Sequence, residues 1–85
     1  MSITVGSTGR AERLVTQEAT AAAVGSGLVP VFATPYMVAL MENAAVNAVQ
    51  SGLEPGQSTV GTRLDVTHDA ATPTGMKVWA EAEVT

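Results

Sequence analysis

The 85-residue sequence predicts an α+β fold in which antiparallel strands pack on one long helix. Three observations predict it. Residues 34–50, TPYMVALMENAAVNAVQ, are an unbroken run of helix-compatible residues, opened by Thr-Pro and followed by Gly52 and Pro55. Two later segments, STVGTRLDVTH and MKVWAEAEVT, alternate apolar and polar residues with the period of two that a half-buried strand requires. The stretch between them, DAATPTG, carries Pro73 and Gly75 and reads as a turn, so the two segments are expected to form a hairpin.

Taken in order, residues 1–10 are rich in Gly, Ser and Thr and are expected to be loose or to form a short strand near Ile3 to Val5. Residues 11–17, AERLVTQ, are read as a strand. From Glu18 to Ala33 the alanines favour a turn or short helix, which Gly25, Ser26, Gly27 and Pro30 break into a loop. The long helix is expected to be capped by the Thr34 hydroxyl, with Pro35 at its first helical position, and to extend about 25 Å at about 1.5 Å per residue. Steps of about 100° put Tyr36, Asn43, Asn47 and Gln50 on one polar stripe, with Met37, Val38, Met41, Ala45 and Ala48 opposite. Glu42 falls at the border of the apolar face. In the next segment Val60, Thr62, Leu64, Val66 and His68 share one side, and Gly61, Arg63, Asp65 and Thr67 the other. His68 therefore points with the apolar residues. In the last segment Met76, Val78, Ala80, Ala82 and Val84 alternate with Lys77, Trp79, Glu81 and Glu83, which leaves Arg63 and Lys77 on the outer face. Such a hairpin has an open edge, where something should pair. No repeat or linker divides the chain, so residues 1–85 are expected to form one domain.

Composition narrows the function. A chain of this length buries only roughly 60 to 65% of its unfolded surface, so its stability margin is thin and a partner subunit helps. The chain is 46% hydrophobic and 4% aromatic, which fits a core of small side chains and argues against disorder. It has no cysteine, which removes disulfides and thiolate chemistry and fits the cytoplasm, and with one histidine a metal site is not expected. Net charge is −4 with four cations, Arg10, Arg13, Arg63 and Lys77, so a nucleic-acid partner is not expected. The span between Glu18 and Glu42 is uncharged and long enough to cross a bilayer, but its Gly, Ser and Pro residues break it, so no membrane partner is expected.

Three side chains are candidates for chemistry. Glu42 at the edge of an apolar face more commonly reaches solvent or pairs with an Arg. The alternative, a functional one, is a partly desolvated carboxylate held close to a substrate as base or nucleophile. His68 among Leu64 and Val66 is either a hydrogen-bonded core imidazole or an acid and base, and an ionisable pair on a sheet and the helix it encloses favours the second. Thr34 is most simply a cap, although a hydroxyl at the positive end of a helix can also face substrate. Gly61 within a strand marks a bulge or a close approach by a ligand. GSG at 25–27 lacks the context of a dinucleotide motif.

Two motifs in order, VFATPxxVxLME and VGTxLxVTHxAATPxGM, resemble the hotdog-fold acyl-CoA thioesterases, in particular the branch that includes the fluoroacetyl-CoA thioesterases. The resemblance spans about Val24 to Val84. It implies a central helix wrapped by an antiparallel sheet, a homodimer or higher oligomer, a substrate channel at the interface and no cofactor. It also implies catalytic roles for Thr34, Glu42 and His68, with Gly61 as the strand glycine that approaches the thioester. The reaction implied is hydrolysis of an acyl-CoA, Glu42 acting as nucleophile or general base, His68 as proton shuttle and Thr34 as hydrogen-bonding partner. Two departures stand out: Gly-Ser-Gly-Leu replaces the aromatic residues that fluoroacetyl-selective members carry before the helix, and the family's last two strands are absent, so the domain reads as C-terminally incomplete. The alternative is a non-catalytic hotdog module that binds acyl-CoA or pairs with a longer relative. Hydration of an enoyl thioester on the same fold fits Thr34 with Glu42 less well.

Overall fold

A computed structural model describes residues 3–85, so Met1 and Ser2 lie outside the described residues. Strand β1 (Thr8–Leu14) is followed by a 3-10 turn (Gln17–Ala19), a one-turn helix α1 (Ala21–Val24), the long helix α2 (Thr34–Val49), a second 3-10 turn (Gln50–Gly52) and strand β2 (Lys77–Glu83). The two strands pair antiparallel, from Thr8 opposite Glu83 to Leu14 opposite Lys77, and α2 packs across them.

The expected alternation of the last segment holds: Val78, Ala80 and Ala82 are half-buried while Lys77, Trp79, Glu81 and Glu83 are exposed. Opposite them on β1 stand Arg13, Ala11 and Gly9. The small ones among them, Gly9, Ala11, Ala80 and Ala82, let α2 lie close to the sheet. A Cβ added to Gly9 would run into the backbone of Ala44 and Ala48, reaching within 2.8 Å of Ala48 Cα, so glycine is required there. Ala44 and Ala48 are accordingly buried. On the outer face Glu12 pairs with Lys77 at 3.1 Å and with Arg10 at 3.4 Å, and the Arg10 guanidinium lies 5.5 Å from the Trp79 ring centre.

Several expectations are corrected. The first strand is Thr8–Leu14 rather than residues 11–17, and Ile3 to Val5 form no strand. The hairpin between residues 58–68 and 76–85 does not form: β2 pairs with β1, and residues 57–69 contain no helix, strand, turn or bend. Alternation makes a segment competent for a sheet, but a ladder needs a neighbour, and no strand lies beside residues 57–69 among the described residues. Val60 is therefore 85% exposed, and only Val66 and His68 on its expected inner side are half-buried. The packed face of α2 runs through Met37, Leu40, Ala44 and Ala48, whereas Met41 and Ala45 are exposed. That face is rotated toward the expected polar stripe, where the Asn47 amide donates to the Arg10 carbonyl at 2.8 Å and to the Asn43 side-chain oxygen at 3.3 Å. Tyr36, placed on that stripe, is half-buried beneath the Arg13 guanidinium, 4.8 Å from the ring centre.

The largest buried side chains gather at the start of α2, where Val15, Ala19 and Phe32 pack with Tyr36, Met37 and Val78. Thr20 is 2% exposed; its hydroxyl donates to the Gln17 carbonyl at 2.8 Å and accepts from the Ala23 N–H at 3.2 Å, which caps α1. Gly25, at φ 79°, closes α1 in the left-handed conformation. The short helix and following loop are as expected from the alanines and glycines.

Candidate active site

The strand-like stretch just before α2 is held from two sides. The Ala33 N–H donates to the Ala19 carbonyl at 2.9 Å and the Ala21 N–H to Val31 at 2.7 Å, while the Phe32 N–H donates to the Thr72 carbonyl at 2.8 Å. One wall of this clamp is the 3-10 turn and α1; the other is the chain that follows His68. The start of α2 and the end of the 57–69 segment are thereby fixed to each other.

Thr34 is the residue this clamp positions. Ala33, not Thr34, occupies the cap position, and no side chain caps the helix; Thr34 is its first residue and Pro35 follows. A side chain at this point projects from the first turn instead of folding back on it. The Thr34 hydroxyl, freed from capping, lies 2.8 Å from His68 Nδ1. The expected cap is thus replaced by a contact across 34 residues of sequence.

Glu42 stands eight residues further, about 12 Å along the axis, and is exposed. Gly61 faces it: an added Cβ would lie 2.8 Å from Glu42 Oε2. The carboxylate and the glycine line a groove of about 700 Å³ together with Val46, Val49, Arg63 and Leu64. Arg63 therefore borders this groove while remaining exposed, whereas Lys77 lies on the outer face as expected.

His68 lines a second groove, of about 510 Å³, between α2 and β2, whose walls include Phe32, Met37, Met41, Asp69 and Trp79. The two grooves share no lining residue. Within one chain, then, the four candidates form two pairs, Thr34 with His68 and Glu42 with Gly61. Each pair joins α2 to the 57–69 segment, at its two ends. Alternation had put Arg63 on the same side as Gly61, but alternation alone does not say which side of an unpaired segment faces the helix.

Among the described residues, no group of three or more His, Cys, Asp or Glu side chains stands close enough to hold a metal ion, and no helix is long and apolar enough to cross a membrane.

The family model for fluoroacetyl-CoA-specific thioesterases, FlK, matches residues 15–85. The chain belongs to the FlK family. A fluoroacetyl-CoA thioesterase of Streptantibioticus cattleyicolor is 54% identical over 54 residues, which are 64% of this chain and 39% of that protein. The solved structure of FlK is 37% identical with a TM-score of 0.86, covering 98% of this chain and 66% of that one. A phenylalanine-to-alanine mutant of FlK solved with fluoroacetate and CoA is 38% identical with a TM-score of 0.84, covering 94% and 69%. The chain thus spans about two fifths of the curated relative and about two thirds of the solved chains. At this identity and overlap the FlK-family fold, an α+β hotdog, is shared. α2 is its central helix, and β1 and β2 are the strands packed on it.

Proposed function

We propose that the protein hydrolyses an acyl-CoA thioester to the free acid and CoA. Its family's activity and the chemistry of the two side-chain pairs support this reading. The observation that carries it is the 2.8 Å contact between Thr34 and His68 Nδ1. A hydroxyl donating to Nδ1 holds the ring and leaves Nε2–H as the nitrogen that exchanges protons; the reverse bond would make Nδ1 the donor. Either orientation keeps the imidazole at the helix start.

In the reaction the Glu42 carboxylate adds to the thioester carbonyl and expels the CoA thiolate, giving an acyl anhydride that water then opens. In the other route it takes a proton from the water that attacks the same carbon. Both break the carbon–sulfur bond and leave the water oxygen on the acid. His68 supplies the proton to the thiolate and Thr34 orients it. Without a side chain, Gly61 keeps the space beside Glu42 open for the thioester. The working form is a dimer in the cytoplasm, in which a second chain closes the grooves of Glu42 and His68 into one channel for acyl-CoA.

Relatives act on fluoroacetyl-CoA, but the selectivity is not transferred, since Gly25, Ser26, Gly27 and Leu28 in the loop before α2 include no aromatic residue and Leu28 is 97% exposed. The test is thiol release from acetyl-, fluoroacetyl-, butyryl- and octanoyl-CoA. Glu42→Gln and His68→Ala are each expected to lower the rate by roughly 10²- to 10⁴-fold. Wild-type rates in either variant overturn the assignment.

A second reading is favoured by the separation of the two grooves within one chain: an acyl-CoA-binding module without turnover. It predicts that acyl-CoA raises the melting temperature while no thiol appears.

A further inference from the structure

Arg63 differs from the other three cations of the chain. Arg10 pairs with Glu12 and lies over Trp79, Arg13 lies over Tyr36 and bonds the Leu14 carbonyl, and Lys77 pairs with Glu12. Among the described residues the Arg63 guanidinium has no hydrogen bond, ion pair or ring contact. It nevertheless lines the same groove as Glu42 and Gly61, where the remaining walls are mainly Ala39, Ala45, Val46, Val49 and Leu64. Asn43 and Thr59 are the other polar residues of the wall, and neither can neutralise a cation; an unpaired guanidinium next to the proposed reacting carboxylate suits an anion that arrives with the ligand.

Distance decides which anion. Gly61 abuts the Glu42 carboxylate, and Arg63 follows two residues later in a stretch without turn or bend, so their Cα atoms are at most about 7 Å apart. With the thioester carbonyl at Glu42, a group within reach of Arg63 is a few bonds from that carbonyl. The phosphates of CoA are the whole length of the pantetheine arm away. A carboxylate at the end of a short acyl chain meets the requirement. Its charge would be repelled by Glu42 unless a guanidinium received it, and arginine presents a planar fork that matches a carboxylate with two parallel N–H bonds.

Resting on the thioesterase reading, we propose that Arg63 is the specificity-determining residue of this site, selecting acyl-CoA substrates whose short acyl chain ends in a carboxylate. The groove of Glu42 and Gly61 takes the reacting end of the acyl group, and Arg63 holds its far end.

The experiment compares succinyl-CoA with butyryl-CoA, which has the same number of carbons and no distal charge. Wild-type kcat/KM is expected to favour succinyl-CoA, and Arg63→Ala to lower the succinyl-to-butyryl ratio by roughly 10- to 100-fold, as loss of a charged hydrogen-bonded pair does. Arg63→Lys is expected to recover part of it. A ratio unchanged in Arg63→Ala overturns the proposal. So does a KM that rises equally for both CoA esters but not for butyryl-pantetheine, which assigns Arg63 to a phosphate. If no thioester is cleaved, the hydrolase reading fails by itself, and the same succinyl-to-butyryl comparison is made on dissociation constants from calorimetry. A preference lost in Arg63→Ala still supports the selection, and equal affinities overturn it. Circular dichroism of each variant checks that the fold is retained.

Discussion

Gly61 meets Glu42 in a way that separates activity from stability. The atom an added Cβ would press is Oε2, the far end of a flexible side chain on an exposed helix face, so the carboxylate can swing aside at little cost. Gly61→Ala is therefore expected to change stability by no more than about 0.5 kcal/mol. It is expected to lower the rate of thiol release on the order of 100-fold, because the reacting carboxylate leaves its position. Urea denaturation beside the thiol assay checks this, and a full-rate Gly61→Ala would show that Glu42 does not react from where it stands. At Thr34 the capping expectation failed for a residue-level reason: the helix starts one residue earlier, at Ala33 as cap, and the freed hydroxyl meets His68, a partner no local rule could reveal.

At the level of elements, β1 and α2 depend on one glycine. The neighbours of an added Cβ at Gly9 are backbone atoms of α2, which cannot rotate away. Gly9→Ala is expected to cost about 1–3 kcal/mol as strand and helix are forced apart, read as a lower urea midpoint at constant slope. β1 begins three residues before the stretch that the sequence marks as a strand because Gly9 is a poor strand former; tertiary contact with Ala44 and Ala48 is what favours Gly9. The outer face of the sheet adds an acid-sensitive part. A hydrogen bond from Lys77 is the main reason the Glu12 carboxyl titrates below its ordinary range, and Arg10 adds to it. Glu18 is lowered by its own backbone N–H, then by the Thr16 hydroxyl and the Arg13 charge. Both groups are lowered on folding, so what they contribute is present above the unfolded pKa and is lost as pH falls through the folded one. The melting-temperature difference between wild type and Glu12→Gln is therefore expected to shrink as pH drops below about 4. It is small throughout and smaller in salt, because the pair is exposed.

On the scale of the whole molecule, the Cα radius of gyration is 14.4 Å, above the about 12 Å of a compact domain of this length, and the long axis is 44 Å. Val60 and Leu64 in the unpaired segment, Leu28 before α2 and Trp79 on β2 are all exposed. That much apolar surface next to an unpaired segment is where the proposed second chain would pack. The proposed dimer is expected to make the melting temperature rise with protein concentration, and sedimentation equilibrium to give twice the chain mass. A concentration-independent transition from a monomer would remove the shared channel from the proposed mechanism.

By itself the sequence determined the long helix, the alternation of Val78, Ala80 and Ala82 on β2, the short α1 with its glycine stop, and the residue types assembled along α2. Each follows from local periodicity or backbone preference, which neighbours in the chain decide. Only the tertiary structure decided that β2 pairs with β1, that residues 57–69 run unpaired, that Thr34 bonds His68, and that Arg63 shares a groove with Glu42. Those are choices among distant partners, and a strand or a hydroxyl is equally competent for several; which one it takes depends on the burial and close approach available once the chain has folded.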